Sequence, residues 1–377
     1  MNPPLPVDGR AITLQALSGQ TPHRTPLALL TWGFDYTWKP ARIEPWQLAC
    51  GGSETWHRAH MAIFERHAPD VIYYDGAGAG LKEPTLLDDT GESWLVRDNN
   101  TGVTYELIKK SCTLREINTG RKTCDPVGSI ATRADADRLV GEAGGWGQTY
   151  LKGLRRLITE LGDHALVLAH HSPGYICACY AFGFEPAMEA MLENPELFTY
   201  VCDLYAASDE QRMRELKEAG AQAVFIADSW ASCDIISPAM FERFALPYQR
   251  SLVETAQRHG LKAVLWNLGD VRPILSLEAA LPVDAFAFEQ PRKGIPMSLK
   301  LVRDAFGSRR CLFGNLDSEM LLWRNDPGEI RAAVREQAVQ SGAGAPFIHN
   351  QGSPIPSNIE PGAVDAILRA AREIAAR

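Results

Sequence analysis

From about residue 150 onward, short apolar runs alternate with longer stretches whose apolar residues recur at helical spacing. The runs "ALVLAHH", "AVFIAD", "AVLWNL", "AFAFEQ", "CLFGNL" and "PFIHN" predict strands. Between them, "EPAMEAMLENPELFTYVCDLYAASDEQRMRELKEAG" and "PAMFERFALPYQRSLVETAQRHG" predict helices, each closing on a glycine. Strand and helix in regular alternation is the pattern of βα units around a parallel sheet. Upstream, "LALLTWG" and "DVIYYDGAG" read as two further strands on either side of the helix-like "GGSETWHRAHMAIFERHAP". The strands then number eight, which predicts an α/β fold of the (β/α)8 TIM-barrel type, with residues 1–377 as one domain. Residues 85–125 depart from this pattern. There polar and apolar residues alternate between Asn/Thr-Gly turns, predicting a β-hairpin insertion after the second strand.

In a barrel of this kind the site lies at the C-terminal ends of the strands. The polar residues that end the apolar runs are Asp75, His170 and His171, Asp228 and Ser229, Asn267 and Asp270, Glu289, Asn315 and Asp317, and His349 with Gln351. A residue just past a strand also serves to cap a helix or close a turn, and Asp270 and Asp317 suit that role well. So many Asp, Glu, His and Asn residues at strand ends nonetheless predict one polar pocket. Asp228, His349, Glu289 and Asp75 are the expected acid–base groups. Trp32, Ser229, Trp266, Asn267, His170, His171, Tyr175 and Gln351 are expected to line the substrate. The adjacent His170 and His171 point to opposite faces of a strand, so only one of them can enter the pocket. "WGFDYTW" and "GGW" supply further aromatic surface.

Composition narrows the function classes. With 45% apolar and 22% charged residues the chain is ordinary globular material, and a formal charge of -8 without a basic run argues against nucleic-acid binding. Eight scattered cysteines do not form the dense framework of a small secreted domain, and a reducing cytoplasm is expected. No window approaches the eighteen apolar residues of a membrane span. GxGxxG, Walker, HExxH and GxSxG motifs are absent. "CAC" at 177–179 has no second pair to complete a metal clip, so its cysteines are expected in the core. The C-terminal "AILRAAREIAAR" could support a homodimer, although a solvated amphipathic end is the commoner case.

Several ordered segments resemble the uroporphyrinogen decarboxylase superfamily, which also contains zinc-dependent, corrinoid-linked methyltransferases. "GAQAVFIADSWASCDIISPAMFERFALPY" is similar to its strand, acidic-Ser turn and Ser-Pro helix start, and "GLKAVLWNLGDVRPIL" to the following unit. "CLFGNLDSEMLL" resembles its Gly-Asn-(Ile/Leu)-Asp segment, and "FIHNQGSPIPSNIEPGAVDAI" its final loop and helix. The likeness begins near residue 60 and is strongest after 165. The insertion resembles the methyltransferase branch.

The decarboxylase branch implies an N-terminal Arg-rich motif that "TPLALLTWGFDYTWKPAR" lacks, and its late histidine falls on Ser353. Asp75 and Ser229 do match that branch's acidic strand end and its serine. The methyltransferase branch implies zinc held by His-x-Cys and a late cysteine, positions that match Trp266, Leu268 and Ser353. None of the three is a usable ligand in that set, so zinc is expected only if it has moved, with Asp228, Glu289 and His349 as the relocated ligands. The resemblance therefore implies demethylation of a small ether or amine, with acid assistance, onto the corrinoid (cobalamin) of a partner protein. A metal-independent decarboxylase of a small acid and a non-catalytic small-molecule-binding barrel remain as alternatives.

Overall fold

The computed structural model describes residues 7–33, 35–76, 80–81, 83–109, 113–120, 129–142, 147–292 and 294–375. The strands are β1 (Val71–Tyr74), β2 (Thr85–Asp89), β3 (Ser93–Arg97), β4 (Thr104–Ile108), β5 (Thr113–Glu116), β6 (Leu166–His171), β7 (Ala223–Ala227), β8 (Lys262–Asn267), β9 (Ala285–Phe288), β10 (Cys311–Phe313) and β11 (Phe347–Ile348). Seven of them form one parallel sheet in the order β1-β6-β7-β8-β9-β10-β11. The expected first strand is shorter than its apolar run. Leu27 bridges His349, Ala28 bridges Val71, and the Ala28 amide donates to the His349 carbonyl at 2.8 Å. Pro26, without an N–H, and a tight turn from Leu29 to Thr31 confine the pairing to these two residues, which join β11 back to β1. The α/β barrel is thereby closed.

Parallel strands covered on both faces are apolar throughout, which is why the runs show no alternation. Alternate residues nevertheless divide cleanly. Val71, Tyr73, Leu166, Leu168, Phe225, Val264, Trp266, Ala287, Phe313 and Ile348 pack in one cluster, the barrel interior. Ile72, Val167, Val224, Ile226, Leu265, Phe286 and Leu312 pack in another, against the helices. Ala16 and Leu17, at the end of helix Gly9–Leu17, enter the interior cluster from the N-terminal side.

The insertion is the four-stranded antiparallel sheet β2-β3-β4-β5, three successive antiparallel pairings in keeping with the alternation, while residues 110–112 and 121–128 lie outside the described part. The long helical stretch after 184 divides into Phe184–Glu193, Pro195–Ala206 and Asp209–Glu218. Pro195 cannot continue the first helix, and the Asn194 side chain caps the second by accepting from the Leu197 amide. Among the described residues no helix is long and apolar enough to cross a membrane. The C-terminal helix Pro361–Ala375 buries Val364, Ile367, Leu368 and Ala371 within the chain, so much of its apolar face is already covered.

Candidate active site

The alternation inside the strands decides where each strand-end side chain goes. Asp75, His170, Ser229, Leu268 and Glu289 continue the interior rows toward the barrel mouth. His171, Asp228, Asn267 and His349 continue the rows that face the helices. Their hydrogen bonds agree with this: His171 Nε2 pairs with Asp209 at 2.7 Å, and Gln249 donates to Asp228 at 2.8 Å. Asn267 donates to Glu278 at 2.8 Å, and His349 Nδ1 pairs with Gln337 Oε1 at 2.9 Å. These four expected site residues therefore form a polar seam between barrel and helices. Gln351 instead braces the closing segment, accepting from the Leu30 amide at 3.0 Å. Tyr175 is buried in the helix layer, where its hydroxyl donates to the Trp230 carbonyl at 3.1 Å.

The floor of the mouth is aromatic. Trp266 stacks on Phe225 with centroids 5.5 Å apart, and Trp32 sits 5.7 Å from Phe225 and 6.4 Å from Trp266. His170 meets Trp32 edge-on at 4.5 Å, and its Nε2 pairs with Ser172 Oγ at 3.1 Å. Burial, assisted by the neighbouring His171, pushes the His170 imidazole down to about 3. It is thus a neutral group at physiological pH. Asp75 accepts from the Gly33 amide, beside Trp32, and lies 3.7 Å from His60 Nε2.

Glu289, at the end of the strand that pairs with the Trp266 strand, is 3% exposed. Its carboxyl accepts from the Ser353 hydroxyl and from the Gln290 amide at 3.0 Å. The Arg292 guanidinium lies 3.4 Å from Glu289 and 3.6 Å from Asp234, with 44% of its side chain exposed. Arg292 was not among the expected residues, and its only signal is a cation three positions past a strand-end carboxyl. The rim beyond Ser229 is also aromatic: Tyr180, whose hydroxyl is 3.5 Å from Ser229 Oγ, packs on Trp230 at 4.9 Å, as does Phe184 at 5.0 Å. Trp146 of "GGW" lies outside the described residues. Asp317 accepts from the amides of Glu319 and Met320, and Asp270 from that of Arg272, the turn-closing roles expected of them.

The three positions matched to zinc ligands do not make a metal site. The Trp266 indole donates to the Gly352 carbonyl at 3.4 Å, Leu268 has no donor atom, and the Ser353 hydroxyl is bonded to Glu289. The relocated set does not converge, because Asp228 and His349 face the helices while Glu289 faces the mouth. Among the described residues, no cluster of three or more His, Cys, Asp or Glu is arranged to hold a metal ion. Cys179 is in the core, and the Cys177 thiol lies 3.6 Å from the Ser172 carbonyl.

Comparison with known proteins bears on this site. A family model described as uroporphyrinogen decarboxylase (URO-D) matches residues 121–374. The uroporphyrinogen decarboxylase of Syntrophotalea carbinolica is 28% identical over 200 residues, 51% of this chain and 56% of that protein. That of Gluconobacter oxydans is 26% identical over 228 residues, 59% of this chain and 63% of that protein. The chain thus spans less than two thirds of the length of these relatives. A methyltransferase from Methanosarcina mazei shares the fold with a TM-score of 0.70 at 18% identity, over 97% of this chain and 99% of that one.

Proposed function

Because the chain belongs to the uroporphyrinogen decarboxylase family, we propose that it is an enzyme that removes a methyl group from a small ether or amine and passes it to a corrinoid carried by a separate protein. The observation that carries this reading is the buried Glu289 carboxyl bonded to Ser353, on the strand next to that of Trp266 in the aromatic floor. The aromatic floor suits an apolar or planar substrate and keeps water from the reacting carbon. The partner's corrinoid supplies the methyl acceptor. As the bond between methyl carbon and heteroatom breaks, its electron pair stays on the heteroatom, and a proton from solvent reaches it by way of the Glu289 carboxyl. Such assistance typically contributes about 10²–10⁴-fold. Ser353 and Arg292 orient the carboxyl, and the exposed guanidinium side gives it a path back to solvent protons. Zinc-activated thiolate chemistry has no support from Trp266, Leu268 and Ser353.

A second reading, metal-independent decarboxylation of a small acid, draws on Arg292. Its contacts with Glu289 and Asp234 are long, at 3.4 and 3.6 Å, so the guanidinium is available to grip a substrate carboxylate. The test is to incubate the protein with methyl ethers and methylamines, with and without a reduced corrinoid protein, and to follow products by mass spectrometry. Demethylation that requires the carrier supports the first reading. Carbon dioxide released from a carboxylic acid without the carrier overturns it in favour of the second.

A further inference from the structure

The polar seam contains two pairs that lack a proton. Gln249 Nε2 donates to Asp228 Oδ2 and Asn267 Nδ2 donates to Glu278 Oε1, each at 2.8 Å. All four side chains are fully buried. The remaining oxygens, Asp228 Oδ1, Gln249 Oε1, Glu278 Oε2 and Asn267 Oδ1, have no hydrogen-bond partner. Every one of these orphans is an oxygen, and an ionised carboxylate can only accept. Turning either amide over exchanges its oxygen for its nitrogen and leaves the same deficit.

We propose that Asp228 and Glu278 are neutral acids in the native protein, each donating its proton to the carboxamide oxygen of its partner and so closing a two-bond acid–amide pair. Asp228 Oδ1–H then donates to Gln249 Oε1, and Glu278 Oε2–H to Asn267 Oδ1. The titratable groups facing Asp228 are Tyr175, Cys177, Cys179 and Tyr180 on helix Gly174–Phe182 and Cys202 on helix Pro195–Ala206. Those facing Glu278 are Cys233 and Asp228 itself. None is a cation, so two ionised carboxylates here would be buried charges without compensation. Burial pushes Asp228 up to about 7 and Glu278 up to about 8, against the lowering effect of their amide partners. Asp228 adjoins Ser229, and Asn267 sits between Trp266 and Leu268. The pairs thus clamp the two strand ends that carry one wall of the mouth to helices Leu246–Arg258 and Leu275–Ala279. They act as positioning residues.

An acid raised in the folded state stabilises it at low pH, and that contribution is lost as pH rises through the folded value. Across about pH 6.5 to 8.5 the melting midpoint of the wild type should fall relative to that of Asp228→Asn with Glu278→Gln, which carries the same histidines, and the near-ultraviolet circular dichroism of the mouth tryptophans should change with it. Asp228→Asn with Glu278→Gln supplies amide donors in place of the acid protons and should abolish both pH dependences, whereas Asp228→Ala should lower the midpoint throughout. Infrared spectroscopy of the wild type tests the same point without a variant. A protonated-carboxyl stretch at neutral pH that disappears by about pH 9 is the expected result. Absence of that band, or an amide double variant that melts like the alanine variant with unchanged pH dependence, would overturn the proposal in favour of carboxylates solvated by buried water.

Discussion

Replacing Trp266 tests whether the position matched to a metal ligand has become part of the packed floor. The side chain is 4% exposed and stacked on Phe225 at an interplanar angle of 29°. An indole buries about 200 Å², which at about 25 cal/mol per Å² corresponds to about 5 kcal/mol of transfer free energy. Movement of the half-buried Trp32 and Leu268 into the space would recover part of this. Trp266→Ala should therefore cost about 3–5 kcal/mol, a large share of the roughly 5–15 kcal/mol that holds a typical domain together. Trp266→Phe keeps the stacking on Phe225 and loses only the long bond to Gly352 and some volume, so it should cost about 1–2 kcal/mol. Urea unfolding at neutral pH, followed by far-ultraviolet circular dichroism, measures both. If the alanine variant cost less than about 1 kcal/mol, or the two variants cost the same, the indole would not be packed as described.

Further predictions concern other parts of the molecule. Glu289→Gln should lower kcat by about 10²–10⁴-fold while leaving the melting midpoint close to wild type; unchanged turnover would remove Glu289 from the chemistry. Asp70, 1% exposed, takes both arms of the Arg24 guanidinium at 2.7 and 2.8 Å and the Leu27 amide at 2.9 Å. Asp70→Asn should cost about 3–5 kcal/mol, read as a drop in the denaturation midpoint. His170 and His349 are both pushed down to about 3 by burial. Their unfolded forms take up protons below about pH 6.5, so each should remove about 2 kcal/mol of stability by pH 5. Asp228 and Glu278 act in the opposite sense over that range, and the comparison must therefore be wild type against His349→Gln, whose loss between pH 7 and 5 should be smaller.

The fold was legible because periodicity survives burial. Apolar runs, helix-spaced stretches and turn residues marked the barrel strands and the hairpin insertion. The direction of each strand-end side chain was not legible. A strand buried on both faces is apolar at every position, so "AVFIADS" does not say whether Asp228 or Ser229 belongs to the interior row. Only the assembled barrel, with Phe225 inside and Ile226 outside, assigns Ser229 to the mouth and Asp228 to the helices. The same ambiguity placed His349 and Asn267 among the expected site residues. Arg292 was overlooked for a different reason: it lies in the loop after β9, and its approach to Glu289 depends on the local bridge between Arg292 and Ile295. Glu289, Trp266 and His170, expected from their strand ends, fall on the interior rows or their continuation, and Trp32 packs beside them.

The joint between the two ends of the chain constrains how the molecule is made. The Leu30 amide finds its acceptor 321 positions away, on Gln351, and the Ala28 amide is bonded to the His349 carbonyl. During synthesis the apolar segment around Leu27–Leu30 emerges before its partners and must wait for the long intervening stretch until they exist. Closing so long a loop comes late, after the nearer strands have paired. Until then the unpaired edges of β1 and β11 are exposed strand surface of the kind that pairs with other chains. The short bridge that completes the barrel should accordingly be the last part of the sheet to gain protection from hydrogen exchange during refolding, and the nascent protein is most vulnerable to aggregation in the interval before it forms.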